Sequence, residues 1–91
     1  LAIEIKDNFI GKNTITLENP MPHNGSIFIE TDTKKQFKIY LYALDGSKVL
    51  DTNIESNSKN HLFKQVKAGL YILSIQSNKR VILNEKLIIQ N

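Results

Sequence analysis

A chain of 91 residues has room for one domain and a small core, because a unit of this size buries only about two thirds of the surface its unfolded chain exposes. It has no cysteine, hence neither disulfides nor a thiolate metal site, and its net charge of +3, from 12 basic and 9 acidic residues, is too mild for the footprint of a nucleic-acid binder. The basic pairs Lys34-Lys35 and Lys79-Arg80 fall where turns are expected, and apolar runs of about four residues fall far short of the roughly twenty of a membrane-spanning helix, so no nucleic-acid partner and no membrane insertion are expected.

The dominant hydrophobic period is two, the mark of half-buried strands. In chain order, Ile3 and Ile5 alternate with Glu4 and Lys6, Ile15 and Leu17 with Thr16 and Glu18, and Ile27 and Ile29 with Phe28 and Glu30. In the centre Phe37, Ile39, Leu41 and Ala43 share one face, opposite Lys38, Tyr40 and Tyr42. Later, Tyr71, Leu73 and Ile75 oppose Ile72, Ser74 and Gln76, and Val81, Leu83, Leu87 and Ile89 share a parity that Glu85 interrupts. A carboxylate on an inward face is costly unless satisfied, so a bulge or an edge position is expected near Asn84-Glu85. Apolar i, i+3, i+4 series do not persist, and no helix of consequence is expected.

Turn chemistry punctuates these runs at Asn19-Pro20-Met21-Pro22, Asn24-Gly25, Asp45-Gly46, Ser56-Asn57-Ser58, Lys67-Ala68-Gly69 and Ser77-Asn78-Lys79. The spacing predicts an all-β, immunoglobulin-like antiparallel β-sandwich of about seven or eight strands. A single domain is expected over residues 1–91, with residues 1–13 as a linker or a first strand. Asp45-Gly46 between alternating runs is a strong hairpin signal, glycine supplying the positive φ. Gly69 opens the strand that carries Tyr71, whose ring can be buried while its hydroxyl reaches a backbone carbonyl. Asn19-Pro20 stops sheet pairing, because proline lacks an N–H and holds the preceding residue extended. The N-glycosylation pattern Asn24-Gly25-Ser26 is better explained as a turn.

Catalytic and metal constellations are missing. There is no G-x-S-x-G, no Walker loop and no H-E-x-x-H, and His23 and His61 stand alone beside asparagines. Glu30 and Asp32 share a strand face, but two carboxylates are too few for calcium, which takes about six or more oxygens. The chain is therefore expected to be no enzyme and to use no cofactor and no metal. Tyr40 and Tyr42, about 7 Å apart on one strand face, pack across strands or form a small sugar-stacking platform.

The ordered set of Asn19-Pro20, the hairpin Ile39–Val49 with its Asp45-Gly46 turn, the segment Lys67-Ala68-Gly69-Leu70-Tyr71-Ile72-Leu73-Ser74-Ile75 and the terminal run Lys86-Leu87-Ile88-Ile89 resembles the type A C-terminal sorting domain of the type IX secretion system of Bacteroidetes. The resemblance runs from Thr14 to Gln90. The chain departs from the family's pattern at two places: Glu18 stands where a proline usually precedes Asn19-Pro20, and the chain ends Gln90-Asn91 where a basic residue is common.

The resemblance implies a folded, non-catalytic secretion signal at the end of a larger protein. A separate signal would bring the parent to the periplasm. The domain would then engage the outer-membrane type IX translocon and be removed by a sortase-type signal peptidase, leaving the cargo domain N-terminal to it secreted or at the cell surface. The chain's start at Leu1 rather than Met, without a basic-then-apolar leader, suggests a processed protein or an excised domain. The implied sorting-motif positions are Asn19, Pro20, Gly46, Gly69, Tyr71, Lys86, Leu87, Ile88 and Ile89. The expected contact elements are the turn before Tyr71, the last hairpin and Lys86 with the terminal strand. The alternative from the residues alone is an immunoglobulin-like accessory module of a secreted protein, carbohydrate-binding through Tyr40 and Tyr42 or a rigid spacer.

Overall fold

The period-two pattern becomes a succession of strands. The computed structural model describes residues 13–91, which form β1 (Asn13–Thr16), β2 (Met21–Pro22), β3 (Ile27–Thr31), β4 (Gln36–Tyr42), β5 (Lys48–Glu55), β6 (Lys59–Asn60), β7 (Gly69–Ser77) and β8 (Arg80–Gln90), with no helix among them. The segment around Ile3 and Ile5, expected as a linker or a first strand, lies outside the described residues. Two sheets result, one of three strands in the order β1-β3-β6 and one of five in the order β2-β8-β7-β4-β5.

The sheets pack face to face over one core. The smaller sheet and its flank contribute Ile15, Leu17, Ile27 and Ile29; the larger contributes Met21, Phe37, Ile39, Leu41, Ile54, Leu73, Ile75, Leu83, Leu87 and Ile89. Each such side chain contributes about 1.5–3 kcal/mol when fully removed from water. Phe63, in the connection between β6 and β7, is also fully buried, although no alternation flags it. Of the residues expected inside, Phe37, Ile39, Leu41, Leu73, Ile75, Leu87 and Ile89 are buried, and Tyr71 is half-buried.

The pairing is not antiparallel throughout. β2 runs parallel to β8, with Met21 opposite Ile89 and Pro22 opposite Gln90. The chain leaves the smaller sheet after β1 and continues in the same general sense beside the C-terminal strand of the larger one. Asn19-Pro20, a cis peptide, sits at the crossing, where a residue without an N–H cannot extend the first ladder. A first strand divided between two facing sheets, followed by Greek-key connections, is an immunoglobulin-like arrangement.

Val81 is a correction to the expected inward set: it is 51% exposed. Ile75 pairs with Leu83 but Gln76 pairs with Val81, so Ile82 is an extra residue in β8 and reverses the parity behind it. The bulge therefore falls at Ile82, while Asn84-Glu85 takes the other expected form, an edge position. Glu85 is exposed although its register partner Leu73 is buried; β2 covers β8 only further along, at Ile89 and Gln90.

Ser56-Asn57-Ser58 is more than a turn. Asn57, at φ +63°, accepts from Thr31 N at 3.0 Å through Oδ1 and donates from Nδ2 to Thr31 O at 3.2 Å, closing the end of β3 as a strand would. Ser56 Oγ, buried, accepts from Lys35 N at 2.9 Å and lies 2.7 Å from Thr31 Oγ1. These bonds satisfy polar groups that would otherwise cost about 1–3 kcal/mol each to bury.

Candidate functional site

Register brings most of the motif positions to one end of the five-stranded sheet. Along β7 and β8, Gly69 faces Ile89, Leu70 faces Ile88, Tyr71 faces Leu87 and Ile72 faces Lys86. Tyr42, the last residue of β4, faces Ile72, so the β4–β5 turn that carries Gly46 projects from this same end. Leu87 and Ile89 point into the core, while Lys86 and Ile88 are exposed.

Asn19 joins the two ends of the motif. Its Nδ2 donates to Lys86 O at 2.7 Å, and its Oδ1 accepts from Ile88 N at 3.1 Å. One side-chain amide thus satisfies both groups of the β8 edge just before β2 takes over at Ile89. Pro20, exposed, carries the chain from that amide into β2. The sequence marked Asn19 as a strand breaker; its bonding to a strand 67 and 69 residues away had no signal there.

Tyr71 stands at the entrance of β7 and donates its hydroxyl hydrogen to Lys67 O at 2.8 Å. This is the tyrosine corner of immunoglobulin-like sandwiches, which ties the turn before this strand to the strand itself. Gly69 lies beneath the ring, and Val49, Gln65, Val66 and Lys67 surround it in a shallow recess. Gly46 adopts φ +90° in a turn closed by Gly46 N to Ala43 O at 3.0 Å and Ala43 N to Ser47 O at 2.8 Å. Asp45 in this turn accepts from Ser47 Oγ at 2.7 Å and Ser47 N at 2.9 Å, and these bonds hold its carboxyl below the usual value.

The last hairpin does not join the cluster. Asn78 and Lys79, both at positive φ, turn the chain between β7 and β8 at the opposite end of the sheet. Of the expected contact elements, the structure brings together the turn before Tyr71 and Lys86 with the terminal strand.

The tyrosine pair forms no open platform. The rings of Tyr40 and Tyr42 lie 6.0 Å apart at 40°, both half-buried, and Lys48 Nζ sits 4.5 Å from the Tyr40 centroid. Lys38 and Lys48 are both fixed by Asp51, at 3.1 and 3.3 Å, and those contacts lower its carboxyl pKa, the Lys38 bond most. His23 and His61 are exposed, the latter with Nδ1 3.1 Å from Asn24 O. Glu30 and Asp32 border a shallow polar recess with Thr14 and Thr31, and among the described residues no three His, Cys, Asp or Glu side chains stand together as metal ligands. No helix among the described residues is long and apolar enough to cross a membrane.

Fold and site together define an immunoglobulin-like sandwich whose distinctive positions gather where its first break meets its last strand. Residues 19–90 match the family described as the secretion system C-terminal sorting domain, and the chain belongs to it: this is a C-terminal sorting domain of the type IX secretion system. The match opens at Asn19 and closes on the last residue of β8, the elements that the Asn19 amide ties together. No curated protein and no solved structure matches the chain.

Proposed function

We propose that this domain is the export address of a larger protein, directing the cargo N-terminal to it through the outer-membrane type IX translocon and then being cut away by a sortase-type peptidase. The cargo reaches the periplasm by a separate signal and ends secreted or at the cell surface. The domain performs no chemistry of its own in this reading; it is recognised, carried and removed.

The observation that carries the reading is the Asn19 bridge to Lys86 and Ile88 in a chain that belongs to the sorting family. The inward residues of the strands are consumed by the core, so a translocon meets a folded surface rather than a linear tag. That surface exists only when the beginning and the end of the family segment are assembled.

The test is a periplasmic reporter with the whole chain fused behind it, expressed in a host with type IX machinery. The reporter is expected on the surface or in the medium, with a mass showing that the domain has been removed. Retention of the intact fusion in the periplasm, while an established signal in the same host is exported, would overturn the reading.

A further inference from the structure

We propose that the outer face at the Asn19 end of the five-stranded sheet is the surface by which a protein of the export machinery holds this domain, and that the partner offers apolar side chains with a carboxylate at their rim. The inference rests on the secretion reading above and names the surface behind it.

The outer face changes character along its length. Near the β7–β8 turn it carries Lys38, Gln76 and Asn84, with Val81 beside Gln76 as a single exposed apolar side chain. At the other end the register partners Leu70 and Ile88 stand side by side, 40% and 45% exposed. The next row sets Ile72 between Tyr42 and Lys86, both on the same face. Leu44, 65% exposed, lies in the β4–β5 turn at this end, and Val49, 45% exposed, flanks that turn beside the Tyr71 recess. Of the large exposed apolar side chains among the described residues, Val81 alone lies elsewhere. Apolar residues collected at one place, rather than scattered singly, mark a contact surface.

Charge selects the occupant. Lys86 flanks the apolar row, is exposed, and its ammonium makes no ion pair with an acid of the described residues. Lys48, across the row from Tyr42, already shares Asp51 with Lys38. A partner carboxylate is thus the complement that Lys86 lacks. A second copy of the chain would bring the same basic rim to the contact. A lipid surface is disfavoured because Lys38 and Lys48 are already engaged by Asp51, which leaves Lys86 as the basic group beside the apolar row, whereas binding to anionic lipid draws on several basic residues.

The experiment uses the full chain behind the periplasmic reporter, with Leu70→Asp, Ile88→Asp and Lys86→Glu, and Val81→Asp as the control at the far end of β8. Leu70→Ser and Ile88→Ser serve where an aspartate disturbs folding. Melting midpoints of the purified domains identify the variants that fold as the parent does. Among these, the Leu70, Ile88 and Lys86 variants are expected to lower the exported fraction by at least about tenfold, as loss of an interface anchor does, with Val81→Asp exported normally. A photocrosslinker at position 70, but not at 81, is expected to trap a protein adduct during export in the same host.

Normal export of the folded Leu70, Ile88 and Lys86 variants, with the parent chain exported, overturns this surface and leaves the sorting reading standing. Failure of the parent chain to be exported overturns both. Binding of the purified chain to phosphatidylcholine–phosphatidylglycerol vesicles, lost in Leu70→Asp, overturns it in favour of a lipid. A concentration-dependent dimer of the parent, lost in the same variant, overturns it in favour of self-association.

Discussion

The side-chain amide of Asn19 stands to Ile88 as a neighbouring strand would: its Oδ1 takes the Ile88 N–H at 3.1 Å while its Nδ2 gives a hydrogen bond to Lys86 O at 2.7 Å. A residue at a chain break thereby continues the edge of the terminal strand, and the short β2 extends the pairing at Ile89 and Gln90. The C-terminal strand and the first break are thereby held to one another.

Removing that amide should loosen the edge. Asn19→Ala loses two hydrogen bonds at a half-exposed site and is expected to cost about 1–2 kcal/mol in urea unfolding. Asn19→Asp keeps an acceptor for Ile88 N but sets a carboxylate oxygen against Lys86 O, so it should be no better than alanine at neutral pH. Amide exchange offers a local check: the Ile88 N–H should lose protection in both variants while that of Leu73, in the centre of the sheet, slows or quickens only with global stability.

Tyr71→Phe isolates the tyrosine corner. The ring and its packing remain, and only the bond to Lys67 O is lost, so the expected cost is about 0.5–1.5 kcal/mol. Tyr71→Ala removes the ring as well and should cost clearly more. Equal thermal midpoints for the parent and both variants would show that the turn before β7 is held by other contacts.

Two glycines should fail for different reasons. Gly46 has open space where a side chain would go, but φ is +90°, so Gly46→Val is expected to cost about 1–3 kcal/mol through backbone strain alone. At Gly25 a Cβ would meet Met21 Sδ at 2.6 Å and Pro22 O at 3.0 Å, so Gly25→Ala should displace Met21, which is fully buried. Denaturant melts of the two variants measure both effects, and a compensating Met21→Ala change should relieve the clash in the second but not the strain in the first.

The acid limb of the stability curve should be shaped by the β4–β5 hairpin. Asp45 is held below the usual value of 3.8 by hydrogen bonds from Ser47, and Asp51 by its bond to Lys38 and then by Lys48. A depressed folded-state pKa means that the stabilisation is complete above the unfolded value and is lost as pH falls through the folded one. Stability measured from pH 6 down to about pH 2 should therefore decline less steeply in Asp45→Asn and Asp51→Asn than in the parent. Both groups are solvent-exposed, so the differences should be small, and that at Asp51 should shrink further in high salt.

The sandwich was legible because its core obeys the period of two: Phe37, Ile39 and Leu41, then Leu73 and Ile75, are inward at alternate positions with no interruption. Val81 was misjudged because the one extra residue at Ile82 reverses the alternation, and a bulge has no local signature when apolar residues lie on both sides of it. Phe63 escaped because it plugs the core from a connection rather than from a strand. The candidate site was visible as separate pieces, Asn19-Pro20, Gly69, Tyr71 and Lys86 to Ile89, each consistent with an ordinary turn or strand. Their convergence depends on the parallel placement of β2 beside β8 and on the Asn19 bonds, which are contacts between distant parts of the chain. Turn residues predict where a strand ends and say nothing of which strand it then meets.

The most direct test of a folded sorting address compares the surface-exposed fraction of a periplasmic reporter carrying the whole chain with that of the same fusion lacking Lys86 to Asn91. The truncated chain loses Leu87 and Ile89 from the core and both groups that Asn19 bonds, so its folded surface cannot form. The intact fusion should be exported and the truncated one retained in the periplasm. Equal export of both fusions, or retention of both beside an exported established signal, would contradict the claim that this folded end of the sandwich is the sorting address.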